Sequence, residues 1–206
     1  MRIIFGAVTV LIAFGMGGCA QGDHRAVRTM MEMRQERAVT QEWDISCGAA
    51  ALATVLRYQY GEPVTERKVA LSLINRKEYL EHPDIVRLRE GFSLLDMKRV
   101  AESMGYGAEG LGKMEMSDLK ERAPIIVPLS QGGYHHFVVF RGMRGNRVLL
   151  ADPSFGTRTV TTEQFLDLWQ PLGPMGRIGF VVKGPEGTPN GPGQLAPRDE
   201  EFLTLG

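Results

Sequence analysis

The chain has 206 residues, with 24 basic and 24 acidic side chains and hence no formal net charge; 43% of it is hydrophobic and 23% charged. That length suits one domain, and that composition builds a core without metal or disulfide staples. Balanced charge with no basic run excludes a nucleic-acid footprint.

The first segment differs from the rest. Arg2 precedes an apolar run from Ile3 to Phe14, then Gly15-Met16-Gly17-Gly18-Cys19. One positive charge, a short apolar run and small residues read as an export signal. The run is shorter than the roughly 20 apolar residues of a spanning helix. Its end resembles a lipobox, the cleavage signal of bacterial lipoproteins. That resemblance implies Cys19 as the lipidated first residue of the mature chain. Ala20 after it implies a periplasmic protein anchored by lipid in the outer membrane. The expected organisation is a signal over 1–19 and a tether over 20–34, with a surface helical turn as the alternative there. A catalytic domain over 35–184 and a flexible Gly/Pro-rich tail over 185–206 complete it.

Within the domain, Gly48 to Gln59 is apolar on more than one face and predicts a buried helix. Thr65 caps a second helix running to Asn75. Ser93 caps a third to Met104, with Asp96 in the reciprocal position. Ser117 caps a short helix to Arg122, stopped before Pro124. Strands are predicted over Ile125–Leu129, Phe137–Met143, Arg147–Ala151, Arg158–Val160 and Ile178–Val182. Gly145-Asn146 makes a hairpin turn. Thr161 caps a further short helix, with Gln164 reciprocal. Helices first and antiparallel strands after predict an α+β fold.

The alternative to the lipobox is an ordinary secretory signal with an incidental cysteine; if Cys19 carries lipid, Cys47 is a solitary thiol. Taken alone, a lone cysteine is more often buried packing than chemistry. Its place at the start of the buried helix changes that, because free N–H groups and the helix dipole favour thiolate there. Gln41, six residues upstream, is a candidate oxyanion donor beside the Cys47 amide; taken alone it is a solvated loop residue. His24 and His82 fall in polar segments. His135 and His136 head a strand, and alternation turns one of them toward the site. A histidine pair also suits a metal; a closed site wants three or four ligands, and only Cys47 and Asp152 are plausible additions. Asp152 follows the strand that hairpins back on His136, so the two are neighbours whatever the register. A base flanked by a carboxylate is what a thiol nucleophile needs.

Gln41-Glu42-Trp43-Asp44-Ile45-Ser46-Cys47-Gly48-Ala49-Ala50-Ala51-Leu52, His136-Phe137-Val138-Val139 and Ala151-Asp152-Pro153 together resemble the bacteriocin-processing, double-glycine leader peptidases of the papain-like clan. The resemblance covers roughly residues 35 to 182. It implies a papain-like fold, with helices packed on an antiparallel sheet. It implies Cys47 as nucleophile, His136 rather than His135 as base, Asp152 as its orienter and Gln41 as oxyanion donor. Ser46 departs from the family's usual Asp, and no transporter domain is present. The implied activity is a cysteine endopeptidase, with a peptide or protein substrate, secretion machinery as partner and no cofactor or metal. Two other classes use the same cleft: a leader-binding or chaperone lipoprotein without turnover, and an acyltransferase with the same triad.

Overall fold

A computed structural model describes residues 28–82, 84, 91–131, 134–185 and 193–205. The expected signal, Cys19 and His24 lie outside the described residues. The chain opens with a short helix α1 (Met30–Gln35), closed at its start by a capping box between Thr29 and Glu32. It is the surface turn that was the alternative to a plain tether. Helix α2 (Cys47–Tyr60) buries every residue from Cys47 to Leu56. Gly61 ends it in the left-handed region, φ 77°, and the Glu62 N–H closes back on the Leu56 carbonyl at 3.1 Å.

Helices α3 (Glu66–Ile74), α4 (Lys77–Glu81) and α5 (Leu94–Ser103) follow. Thr65 caps α3, and the Ser93–Asp96 box caps α5, as the sequence predicts. Strand β1 (Gly107–Leu111) comes next, unpredicted because two of its five residues are glycine. Pairing with the last strand makes it a strand. Helix α6 (Met116–Arg122) is capped by Glu115, not Ser117, and the Glu115 N–H donates to Asp118 Oδ2 at 2.7 Å.

The remaining strands are β2 (Ile125–Gln131), β3 (Tyr134–Arg144), β4 (Arg147–Asp152), β5 (Gly156–Thr161) and β6 (Gly179–Lys183). Helix α7 (Thr162–Leu168) leaves β5 under a Thr161–Gln164 capping box. The sheet is antiparallel throughout, in the order β1-β6-β2-β3-β4-β5. Its central strands are continuous apolar runs because both faces are covered. Ile126, Val139, Ala151 and Phe180 pack with α2, α3 and α5 on one side. Ile125, Val127, Val138, Phe140, Leu150 and Phe165 pack on the other, beneath α6 and α7.

The tail expected to be flexible over 185–206 is docked over residues 193–205. It carries a helix α8 (Asp199–Thr204), and Leu195 and Leu205 are buried. The fully buried Arg141 of β3 holds it. Its guanidinium donates to Glu201 Oε1 at 2.7 Å and Oε2 at 3.2 Å, and to the Leu195 and Ala196 carbonyls. Thr159 of β5 binds the Leu205 carbonyl through its backbone N–H at 2.8 Å and its hydroxyl at 3.1 Å. Composition alone reads this stretch as loose, because its anchors sit on strands far away in sequence. None of the helices among the described residues is long and apolar enough to cross a membrane.

Candidate active site

The site forms where the start of α2 meets the ends of β3 and β4. Cys47 is the first residue of α2, so the free N–H groups of that turn surround a buried thiol. Ser46 precedes it and uses its hydroxyl on the loop, donating to the Trp43 carbonyl at 2.8 Å. Gly48 lets the helix start lie tight against the sheet. A Cβ there would stand 3.3 Å from Met97 Sδ and 3.5 Å from Phe137 Cδ2.

His136 comes from β3. Val139 pairs with Ala151, and extending that register by one sets Asp152 opposite Val138. His136 and Asp152 are then diagonal neighbours on one face. They meet: His136 Nε2 lies 2.7 Å from Asp152 Oδ1, with His136 4% exposed and Asp152 wholly buried. The neighbouring His135 is exposed, as alternation along a strand requires. His82 is exposed at the end of α4.

The charges of this cluster sustain one another. Burial alone pushes the Cys47 thiol up, but hydrogen bonding to His136, to the Phe137 backbone and to Tyr134 brings it below an ordinary thiol. Burial pushes His136 down, yet the bonds to Asp152 and Cys47 raise it to about 9. Burial would lift Asp152, and the His136 contact, the Arg158 charge and the Ser154 N–H hold it below an ordinary carboxylate. The lowered thiol and the raised imidazole both shift the pair toward thiolate beside imidazolium.

Gln41 lies on the loop that carries Cys47. Its backbone N–H binds the Pro153 carbonyl at 2.9 Å, which ties this loop to the turn after Asp152. Its side-chain Nε2 donates to the Trp43 carbonyl at 2.9 Å and the Asp44 carbonyl at 3.3 Å. The structure thus brings Cys47, His136 and Asp152 together and holds the Gln41 amide between its own loop and the Ser154 hydroxyl, which donates to Gln41 Oε1 at 3.2 Å.

Two residues in the cluster were not singled out from the sequence. The Tyr134 hydroxyl sits 3.6 Å from Cys47 Sγ and 3.1 Å from the Asp44 carbonyl. Its signal was its place two residues before His136. Arg158 of β5 meets Asp152, which depends on the β4–β5 register and is invisible in spacing alone.

A concavity of about 640 Å³, lined by Arg141, Leu195 and Pro197, touches none of these groups. A recess of about 170 Å³, lined by Phe92, Pro128, His135 and Phe137, flanks the site instead. Among the described residues no group of three or more His, Cys, Asp or Glu side chains is placed to hold a metal.

Residues 35–173, two thirds of the chain, match the model of the Peptidase C39 family. The chain belongs to the Peptidase C39 family. A probable functional amyloid protease, FapD, of Pseudomonas aeruginosa is 39% identical over 147 residues, covering 71% of this chain and 62% of that protein. The chain therefore spans less than two thirds of that relative's length. Two solved structures share the fold. The peptidase domain of Streptococcus ComA, a bifunctional ABC transporter, aligns with TM-score 0.57 and 20% identity, over 72% of this chain and 98% of that one. A double-glycine-motif protease from an AMS/PCAT transporter, solved with its leader peptide, aligns with TM-score 0.53 and 25% identity, over 71% of this chain and 89% of that one. The C39 fold here is the papain-like, helix-on-antiparallel-sheet arrangement that the sequence implies.

Proposed function

We propose that this C39 chain is a cysteine endopeptidase that cleaves exported polypeptides in a secretion or maturation pathway. The observation that carries the reading is the buried His136–Asp152 contact at 2.7 Å beside the Cys47 thiol at a helix start. Cys47 thiolate attacks the scissile carbonyl and forms a tetrahedral oxyanion. The Cys47 N–H stabilises it, joined by Gln41 Nε2, which gives up its longer contact with the Asp44 carbonyl. His136 delivers its proton to the leaving amine, which departs as the thioester forms. Water then attacks the thioester, His136 takes its proton, and the acid product leaves the regenerated thiolate. Asp152 keeps the imidazole in place through both steps.

A cleavage site after two glycines is supported by the small recess beside the site and by the double-glycine motif named for the structural relative. The amyloid-protease name of the Pseudomonas relative supports a place next to secretion machinery. The Arg2-to-Cys19 signal supports export to the periplasm, with Cys19 lipidated and anchored in the outer membrane. The test compares the native host carrying wild type with one carrying Cys47→Ala and maps the termini of exported proteins by mass spectrometry. Loss of specific new termini in the variant is expected; identical termini in both sink the reading.

A further inference from the structure

Asp152 makes more contacts than orienting a histidine requires. Oδ1 takes His136 Nε2 at 2.7 Å and the Ser154 N–H at 2.9 Å. Oδ2 takes one hydrogen bond, from the Arg158 Nε–H at 2.8 Å; Nη2 stands 2.7 Å from the same oxygen as an ion pair, without hydrogen-bond geometry. β4 and β5 pair Asp152 with Gly156, so Arg158, two residues further, lies diagonally across on the same face. The guanidinium is itself held from the other side. Its Cζ lies 4.9 Å from the centre of the Phe155 ring. Gly156, which sets the start of β5, has φ 77°, and a Cβ on it would run into the Arg34 carbonyl. Turn, ring and strand together leave Arg158 little freedom.

We propose that Arg158 is a positioning residue of the active site, whose Nε–H bond and charge on Oδ2 fix the rotation of the Asp152 carboxylate so that Oδ1 faces His136 Nε2. A carboxylate at the end of a strand can turn about two side-chain bonds. The Ser154 N–H restrains one oxygen only. Arg158 restrains the other, and a guanidinium does so directionally where an ammonium acts as a point charge. The Arg158 guanidinium bonds to the carboxylate and not to the imidazole, so it acts through Asp152. Among the described residues the charged or titratable groups meeting the His136–Asp152 pair are Cys47 from α2 and Arg158 from β5, with Tyr134 of β3 reaching the pair through Cys47.

The inference rests on the proposed catalytic roles, and its test needs no substrate. Full-length protein labelled with ¹⁵N-histidine is titrated by NMR, and the His136 imidazolium midpoint is read for wild type, Arg158→Lys and Arg158→Met. Iodoacetamide alkylation of Cys47 at pH 7 is measured alongside. Arg158→Lys keeps the charge and loses the planar, directional Nε–H donor. Its His136 midpoint is expected to fall by about one pH unit, with alkylation slowed severalfold. An unchanged midpoint in Arg158→Lys overturns the proposal. So does a midpoint that rises in Arg158→Met while staying at the wild-type value in Arg158→Lys, because that pattern assigns Arg158 a purely electrostatic part. If the methionine variant does not fold, the lysine variant decides alone. Failure of the peptidase reading shows separately, as unchanged protein termini in the Cys47→Ala host.

Discussion

Replacing Asp152 with asparagine tests the centre of the site with the least change in shape. The carboxylate is wholly buried, and its bond to His136 is the largest influence raising the imidazole against burial. His136 stands at about 9 instead of 6.5. At about 1.4 kcal/mol per pH unit, that is roughly 3 kcal/mol favouring the imidazolium in the folded state. Because the folded value lies above the unfolded one, this stability is fully present below pH 6.5 and is lost as pH rises through 9. The Asp152→Asn substitution removes most of it, Cys47 supplying the rest. Urea denaturation should therefore show wild type exceeding Asp152→Asn by roughly 3 kcal/mol more at pH 6 than at pH 10. A part independent of pH comes from Arg158 losing its partner and cancels in that comparison. The His136 midpoint, followed by NMR, should fall to near 7, and the basic limb of activity with it. A midpoint that stays near 9 in Asp152→Asn would falsify the assignment of Asp152 as the group that charges His136.

Other perturbations probe the frame around the site. Glu201→Ala strands the fully buried Arg141 guanidinium with only two carbonyls, and should cost about 3–5 kcal/mol in denaturant unfolding. The double variant Arg141→Met/Glu201→Leu should recover most of that loss, and a Glu201→Ala loss under about 1 kcal/mol would mean that the tail is not docked. Glu66 is 3% exposed with no well-formed hydrogen bond to either carboxyl oxygen, and burial raises its pKa more than Ser46 and the Glu42 backbone lower it. A raised acid is stabilising only while protonated, so its penalty grows as pH rises above 4.5. Glu66→Gln should gain about 1 kcal/mol at pH 8 and nothing at pH 4, read by thermal denaturation at the two pH values.

Much of the site was legible along the chain. Cys47 sits at the boundary between a polar loop and an Ala-rich run, and a helix start is a local event. His136 and Asp152 lie on two strands joined by a two-residue turn, with Arg144 pairing Arg147 across Gly145-Asn146. A hairpin that short brings its flanks together at small entropic cost. The capping boxes at Ser93 and Thr161 were equally local.

What escaped prediction involves distance. β1 has little strand propensity and exists because β6, some seventy residues later, pairs with it. Arg158 meets Asp152 through a register that spacing does not specify. The tail looks unstructured by composition, yet Arg141 and Thr159 supply partners for it. Gln41 has a suitable position in sequence, but whether its amide faces the thiol or its own loop depends on which carbonyls the fold leaves within reach.

By itself, then, the sequence determined the thiol at a helix start, the hairpin that joins imidazole to carboxylate, and the caps at Thr65, Ser93 and Thr161. These are contacts between near neighbours, closed by short loops at small entropic cost. Only the tertiary structure decided what surrounds them: the second cation on Asp152, the tyrosine over Cys47, and the carboxy-terminal strap on β3 and β5. Those contacts join residues far apart in the chain, and no local pattern encodes a register or a partner that the rest of the fold must bring into place.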